Sequence, residues 1–136
     1  MILGIGHDQI DIRRIEASLK RFGERFENRI FTQAEQARAR KRSESGKNNS
    51  RASSYAKRFA AKEACAKAMG TGIANGVHWR DIEVVNLPSG KPTIQLHGNA
   101  KQWLEKNVGQ GKAHNIQLTL SDDYPTATAI VIIEVI

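Results

Sequence analysis

From Phe59 to Gly72 the sequence reads FAAKEACAKAMGTG, whose charged residues are one glutamate and two lysines, followed by a Gly-Thr-Gly turn. On a helix with 100° between neighbours, Glu63 and Lys67 fall one turn apart on one face. Arg58 and Lys62 form a second pair at the same spacing about a quarter-turn away. A carboxylate flanked by an excess of cations suits a divalent metal ion and the phosphates of a substrate, the acid ligating the ion and Arg58, Lys62 and Lys67 meeting the anion. Gly70, Thr71 and Gly72 could add backbone N–H groups and a hydroxyl for phosphate oxygens. A helix C-terminus is unfavourable to anions, so the nearby lysines would have to compensate. A second carboxylate is available in Asp8, at the end of the apolar opening Met1–Gly6. Beside Glu63 it would make the two-carboxylate, partly hydrated site that Mg²⁺ prefers when it also binds phosphates.

Each of these features also has an ordinary structural reading. Glu63 and Lys67 are spaced as an exposed helix pair worth about 0.3–0.5 kcal/mol. Gly70–Gly72 is placed as a helix C-cap, and Asp8 as a cap or turn residue. Against the first reading, the helix is otherwise nearly all small or apolar, as a helix packed on several sides would be, and charges there need a reason.

The elements that must position these residues follow from periodicity and caps. Met1–His7 reads as a first strand with Asp8 at its end. From the N-cap Asp11, Ile12, Ile15, Leu19 and Phe22 recur at helical spacing until Gly23. Arg25–Phe31 reads as a further turn or two of helix, burying Phe26 and Ile30. Thr32-Gln-Ala-Glu35 is a capping box that opens a polar helix to about Arg42. Ser43–Ser50 is a polar loop. Ser53 or Ser54 caps the long alanine-rich helix, which Gly70 stops; its alanines favour helix and let neighbouring backbone approach. Asp81–Leu87 and Thr93–Leu96 read as strands joined by a turn, Asn99–Asn107 as a short helix, and Asn115–Leu120 and Thr126–Ile136 as strands. The pattern predicts an α+β fold with an antiparallel sheet packed on a long central helix.

At 136 residues the chain is expected to form a single domain, 1–136, with one modest core that an oligomer interface would supplement. A net charge of +7 and an isoelectric point near 9.9 call for an anionic partner. One cysteine, Cys65, excludes a disulfide scaffold and reads as a buried thiol in an intracellular protein. No signal peptide and no membrane span are expected, so the default is a soluble cytoplasmic protein. His7, His78, His97 and His114 lack metal-ligand spacing, which argues against zinc. Walker-type, dinucleotide and nucleophile-elbow motifs are absent. A non-enzymatic nucleic-acid-binding module would also account for the charge, but stacking aromatics are scarce and no binding signature is present. A Mg²⁺-dependent nucleotide hydrolase is a further alternative.

With Phe59-x-x-Lys62-Glu63-Ala64-x-x-Lys67-Ala68-x-Gly70-Thr71-Gly72 and Gly4-Ile-Gly-x-Asp8 in view, the chain resembles the holo-(acyl-carrier-protein) synthases, the small bacterial 4′-phosphopantetheinyl transferases. Arg14-Ile15-Glu16, Gly90-Lys91-Pro92 and the closing Ala127–Glu134 run support the resemblance, in order, over nearly the whole chain. It implies transfer of phosphopantetheine from coenzyme A to a serine of apo-acyl carrier protein, with release of adenosine 3′,5′-bisphosphate, in fatty acid biosynthesis. It implies Asp8 and Glu63 as Mg²⁺ ligands, and Glu63 and Lys67 as catalytic groups. Arg58, Lys62, Lys67, Gly70, Thr71 and Gly72 would be the coenzyme A phosphate contacts, and Arg14, Arg21 and Arg25 the docking surface for the acidic carrier. It further implies a homotrimer with coenzyme A between subunits. One departure is Asp122, where many relatives have a histidine.

Overall fold

The opening residues form β1 (Ile2–Asp11), which continues past the end expected at Asp8. Its length is decided by pairing: β5 (Thr126–Val135) runs antiparallel beside it from Ile2↔Glu134 to Asp11↔Thr126, placing Asp8 opposite Ala129. β5 also pairs with β4 (His114–Asp123), so the order is β1-β5-β4, with the most β-prone run of the sequence at the centre. A second antiparallel pair joins β2 (Ile82–Asn86) and β3 (Pro92–Leu96) across a turn containing Gly90 at φ 90°. This computed structural model describes residues 1–44, 50–109 and 111–136.

Among the described residues five helices accompany the strands: α1 (Ile12–Phe22), α2 (Glu24–Ile30), α3 (Gln33–Glu44), α4 (Ser50–Met69) and α5 (Gly98–Val108). Asp11 caps α1 by accepting from the Arg13 N–H, and Gly23, at φ 56°, closes it. Of the pair expected to be buried in α2, Ile30 is buried and Phe26 half-buried. The capping box is formed as expected: Thr32 N–H donates to Glu35 Oε1 at 2.9 Å and Glu35 N–H to Thr32 Oγ1 at 3.2 Å. α4 begins earlier than expected, at Ser50, so Ser53 and Ser54 lie inside it; Ser54 is buried and its Oγ accepts from Arg58. Most of the loop expected over Ser43–Ser50 lies outside the described residues.

The core is the contact of α4 with the inner face of the three-stranded sheet. β5 buries Ala127, Ala129, Val131, Ile133 and Val135, alternate residues on one side of the strand, and β4 adds Ile116 and Leu118. Full burial of each Val or Ile stabilises by about 1.5–3 kcal/mol. α4 packs against β1 and β5, with Ala64 and Ala68 against the β1 backbone, and its Ala56 and Ala60 are buried in the same core. The expected α+β fold with an antiparallel sheet on a long central helix is therefore the one observed. The outer face of the same sheet is apolar and exposed at Ile5 (64%) and Ile130 (41%). Among the described residues no helix is long and apolar enough to cross a membrane.

Candidate active site

Two glycines set the distance between β1 and α4. A Cβ built on Gly6 would lie 1.8 Å from the carbonyl oxygen of Ala64, and one on Gly4 would lie 1.9 Å from that of Ala68. Only glycine permits this approach, so the strand backbone rests directly on the helix. Side chains alternate along a strand, and Gly4, Gly6 and Asp8 therefore share the face turned to α4. On the helix, Glu63 and Lys67 form the row beside Ala64 and Ala68. The close-packed backbone thus carries Asp8 to the edge of α4 where these two charges stand.

The contact is direct. Lys67 Nζ donates to Asp8 Oδ1 at 2.9 Å and to the His7 carbonyl oxygen at 3.0 Å, while the lysine side chain stays 52% exposed. Glu63 is half-buried. Burial, and then the negative charge of Asp8, pull its carboxyl above the usual range, against the opposing effect of Lys67. Two carboxylates held together with one ammonium make an incompletely neutralised, hard-oxygen donor set, which fits a small divalent cation. Among the described residues no group of three or more His, Cys, Asp or Glu could hold a metal. Water and substrate oxygens would therefore fill the remaining positions, as suits Mg²⁺.

The Gly-Thr-Gly turn is differently used from the expectation. The Gly70 N–H donates to Lys67 O, and the Thr71 and Gly72 N–H groups both donate to Ala66 O. Thr71 Oγ1 donates to Gly72 O at 2.9 Å. All three amides thus close the end of α4, with Gly70 at φ 79° and Gly72 at φ 62°, and none is presented to a phosphate. The turn caps the helix and leaves open space above both glycines.

Lys62 also departs from the expected phosphate contact. Its side chain is 0% exposed, and Nζ donates to Glu35 Oε1 at 2.8 Å, to Trp79 O at 3.1 Å and to Ile82 O. An ammonium has three donors, and all are taken inside the protein. Burial lowers its pKa, against the pull of Glu35. Breaking a pair buried to this degree by removing one partner costs about 3–5 kcal/mol.

Arg58 is 4% exposed. Nη1 donates to Ser54 O and Oγ and Nη2 to Asn86 Oδ1 at 3.4 Å, while the buried Nε has no protein partner. Burial lowers its pKa to about 10, with Glu35 opposing and Arg38 and Arg42 adding to the effect. Near it, Lys57 Nζ lies 3.6 Å from Asp122 Oδ1. This pair was not visible in the sequence, where nothing connects positions 57 and 122. Burial also pushes the Cys65 thiol up to about 12, which removes it from nucleophilic chemistry.

Arg14, Arg21 and Arg25 are all exposed on α1 and α2. Arg21 lies over the Phe22 ring at 5.1 Å. Beside them is a groove of about 450 Å³ lined by Phe22, Arg25, Phe26, Arg29 and Trp79. Phe22, expected on the apolar stripe of α1, is 46% exposed there.

Comparison with known proteins gives one consistent relationship. Residues 4–129 match the family described as the 4′-phosphopantetheinyl transferase superfamily. The chain is 60% identical over 134 residues to the holo-(acyl-carrier-protein) synthase of Mesorhizobium japonicum, covering 98% of this chain and 93% of that protein. Its structure is similar to the Neisseria meningitidis holo-(acyl-carrier-protein) synthase, with a TM-score of 0.81, 39% identity, and 98% and 99% of the two chains covered. It is also similar to a holo-(acyl-carrier-protein) synthase from Bacillus anthracis in complex with CoA (3′,5′-ADP), with a TM-score of 0.76, 36% identity, and 98% and 97% covered.

Proposed function

The chain belongs to the 4′-phosphopantetheinyl transferase superfamily, and on that premise we propose that it transfers 4′-phosphopantetheine from coenzyme A to a serine hydroxyl of apo-acyl carrier protein. The serine oxygen would bond to the phosphorus that carries pantetheine, and the bond from that phosphorus to adenosine 3′,5′-bisphosphate would break. The observation that carries this reading is the cluster of Asp8, Glu63 and Lys67 at the contact of β1 with α4.

Asp8 and Glu63 are the residues that would hold Mg²⁺, which when bound supplies charge neutralisation for the diphosphate. Lys67, anchored by Asp8 and the His7 carbonyl and still exposed, stabilises charge developing on the departing phosphate oxygen. The serine proton leaves to Glu63 or to a water held beside it. Arg58 lies close to the charged cluster of Arg38 and Arg42 and is the arginine suited to a more distant phosphate of coenzyme A. Lys62 and the amides of Gly70–Gly72 take no part in phosphate binding, because their donors are used within the fold. Arg14, Arg21 and Arg25 supply positive charge that steers an acidic carrier.

We assign a homotrimer through the outer face of the three-stranded sheet, supported by its exposed Ile5 and Ile130 and by a groove of about 490 Å³ lined by Lys91, Gln117, Ile130 and Ile132. A cytoplasmic setting is supported by the single, unpaired Cys65. The test is to incubate the protein with apo-acyl carrier protein, coenzyme A and Mg²⁺ and to weigh the carrier by intact mass spectrometry. A gain of one phosphopantetheine, abolished by chelator, is expected. An unchanged mass with several apo-carriers would refute the reading.

A further inference from the structure

The metal-binding edge of α4 is gripped from two opposite sides. On one side Ala64 and Ala68 receive the backbone of β1 at Gly6 and Gly4. Lys62 lies two positions from Ala64, about 160° away around the helix, and reaches the opposite wall. There its ammonium is shared by three elements: Glu35 on α3, the Trp79 carbonyl in the short 3₁₀ turn Trp79–Asp81, and the Ile82 carbonyl at the start of β2. Glu63 points between these two grips, about 100° from each.

The acceptors of Lys62 are themselves fixed. Glu35 Oε1 also accepts the Thr32 N–H, and Oε2 accepts the Val84 N–H at 3.0 Å. Phe59, on the same side of α4 as Lys62, stacks on Trp79 with ring centroids 4.7 Å apart. An apolar residue at position 62 could fill the same volume, but it would tolerate rotation of the helix, whereas three directed hydrogen bonds do not. The tip of a helix side chain lies about 6 Å from the axis, so a turn of about 20° would move the Glu63 carboxylate by about 2 Å. A displacement of that size exceeds what a metal or reacting group tolerates.

We infer that Lys62, together with Glu35, is a positioning residue that sets the rotation of α4 and so aims Glu63 at Asp8. The inference rests on the reading of Asp8 and Glu63 as the divalent-cation ligands. It predicts that a change on α3, at a residue whose carboxylate faces Lys62 inside the protein, will be felt at the metal.

The test uses the full chain and two probes: Mn²⁺ binding followed by electron paramagnetic resonance, and coenzyme A binding by calorimetry in chelator. Lys62→Met and Glu35→Gln should each weaken Mn²⁺ about 10- to 100-fold, the range found when a group orienting a metal ligand is removed. Coenzyme A affinity in chelator should stay at the wild-type value in both variants. Leu104→Ala, a core truncation in α5, should lower the melting temperature while leaving Mn²⁺ affinity intact. Should either single variant fail to fold, the double variant Lys62→Met/Glu35→Gln, which leaves no buried charge unpaired, decides. Unchanged Mn²⁺ affinity in the folded variants would overturn the inference. So would an equal loss in Leu104→Ala, or a loss of coenzyme A affinity in Lys62→Met that Glu35→Gln does not share. Asp8→Asn separates the two layers: if it leaves Mn²⁺ affinity unchanged, the metal-site reading fails, and if it weakens Mn²⁺ while Lys62→Met does not, only the positioning role fails.

Discussion

Adding one methyl group at Gly6 should disable the site without touching any charged residue. The new carbon would sit 1.8 Å from the Ala64 carbonyl oxygen, 2.8 Å from its carbon and 2.9 Å from the Ala68 nitrogen, all backbone atoms of a helix. Restoring an ordinary carbon–oxygen contact of roughly 3.3 Å requires β1 and α4 to part by about 1.5 Å. Overpacking usually costs about 1–3 kcal/mol, and the upper end applies here because no flexible side chain can yield. The same parting moves Asp8 away from Glu63 and Lys67, and a misplacement of about 1 Å can lower turnover about 10²-fold. Gly6→Ala should therefore lose about two orders of magnitude in the rate of carrier modification, measured by mass spectrometry at a temperature where circular dichroism shows the variant folded. Gly70→Ala is the comparison, because a Cβ there meets nothing within 4 Å and only the left-handed backbone is strained. Wild-type turnover and melting temperature in Gly6→Ala would refute the argument that backbone contact sets the site.

Glu63→Gln should lower turnover by at least about 10²-fold and weaken Mn²⁺ binding, and near-normal values in both assays would remove Glu63 from the site. Arg14→Glu should raise the KM for the carrier and flatten its salt dependence, with coenzyme A binding unchanged; an equal effect on both substrates would contradict a docking role. Hydrogen bonds from Arg13 hold the Asp11 carboxyl at about 2, below its ordinary 3.8. Its contribution to stability is therefore complete above the ordinary value and is lost as pH falls through about 2. Asp11→Asn should flatten the acid limb of a melting-temperature profile between those values, and a wild-type limb would show that the interaction adds nothing to folding.

Much of the fold was legible because it is written locally. Asp11 and Gly23 bound α1 by their backbone preferences, Thr32 and Glu35 form the capping box their spacing announced, and the alternation in Asn115–Leu120 and the β-prone run Thr126–Ile136 mark the strands β4 and β5. The end of β1 was not legible at Asp8, because its residues are held in the strand by β5, more than a hundred positions away. Sequence spacing also placed Glu63 beside Lys67, since the helix repeat alone decides that.

What the amino-acid order by itself determined is therefore the set of elements and the chemical inventory of α4. Only the tertiary structure assigned that inventory its tasks. Lys62 and Lys67 carry the same group five residues apart, yet one is sealed against Glu35 and two carbonyls while the other stands exposed on Asp8. The amides of Gly70–Gly72 look available in a sequence but are spent on the carbonyls of the helix they end. The physical reason is that a charge or a donor is defined by what faces it, and the facing residues, Glu35, Trp79, Ile82 and Asp8, come from distant parts of the chain. Helical period fixes the direction in which a side chain leaves its own helix, and packing alone decides whether it meets a buried carboxylate, a metal ligand or water.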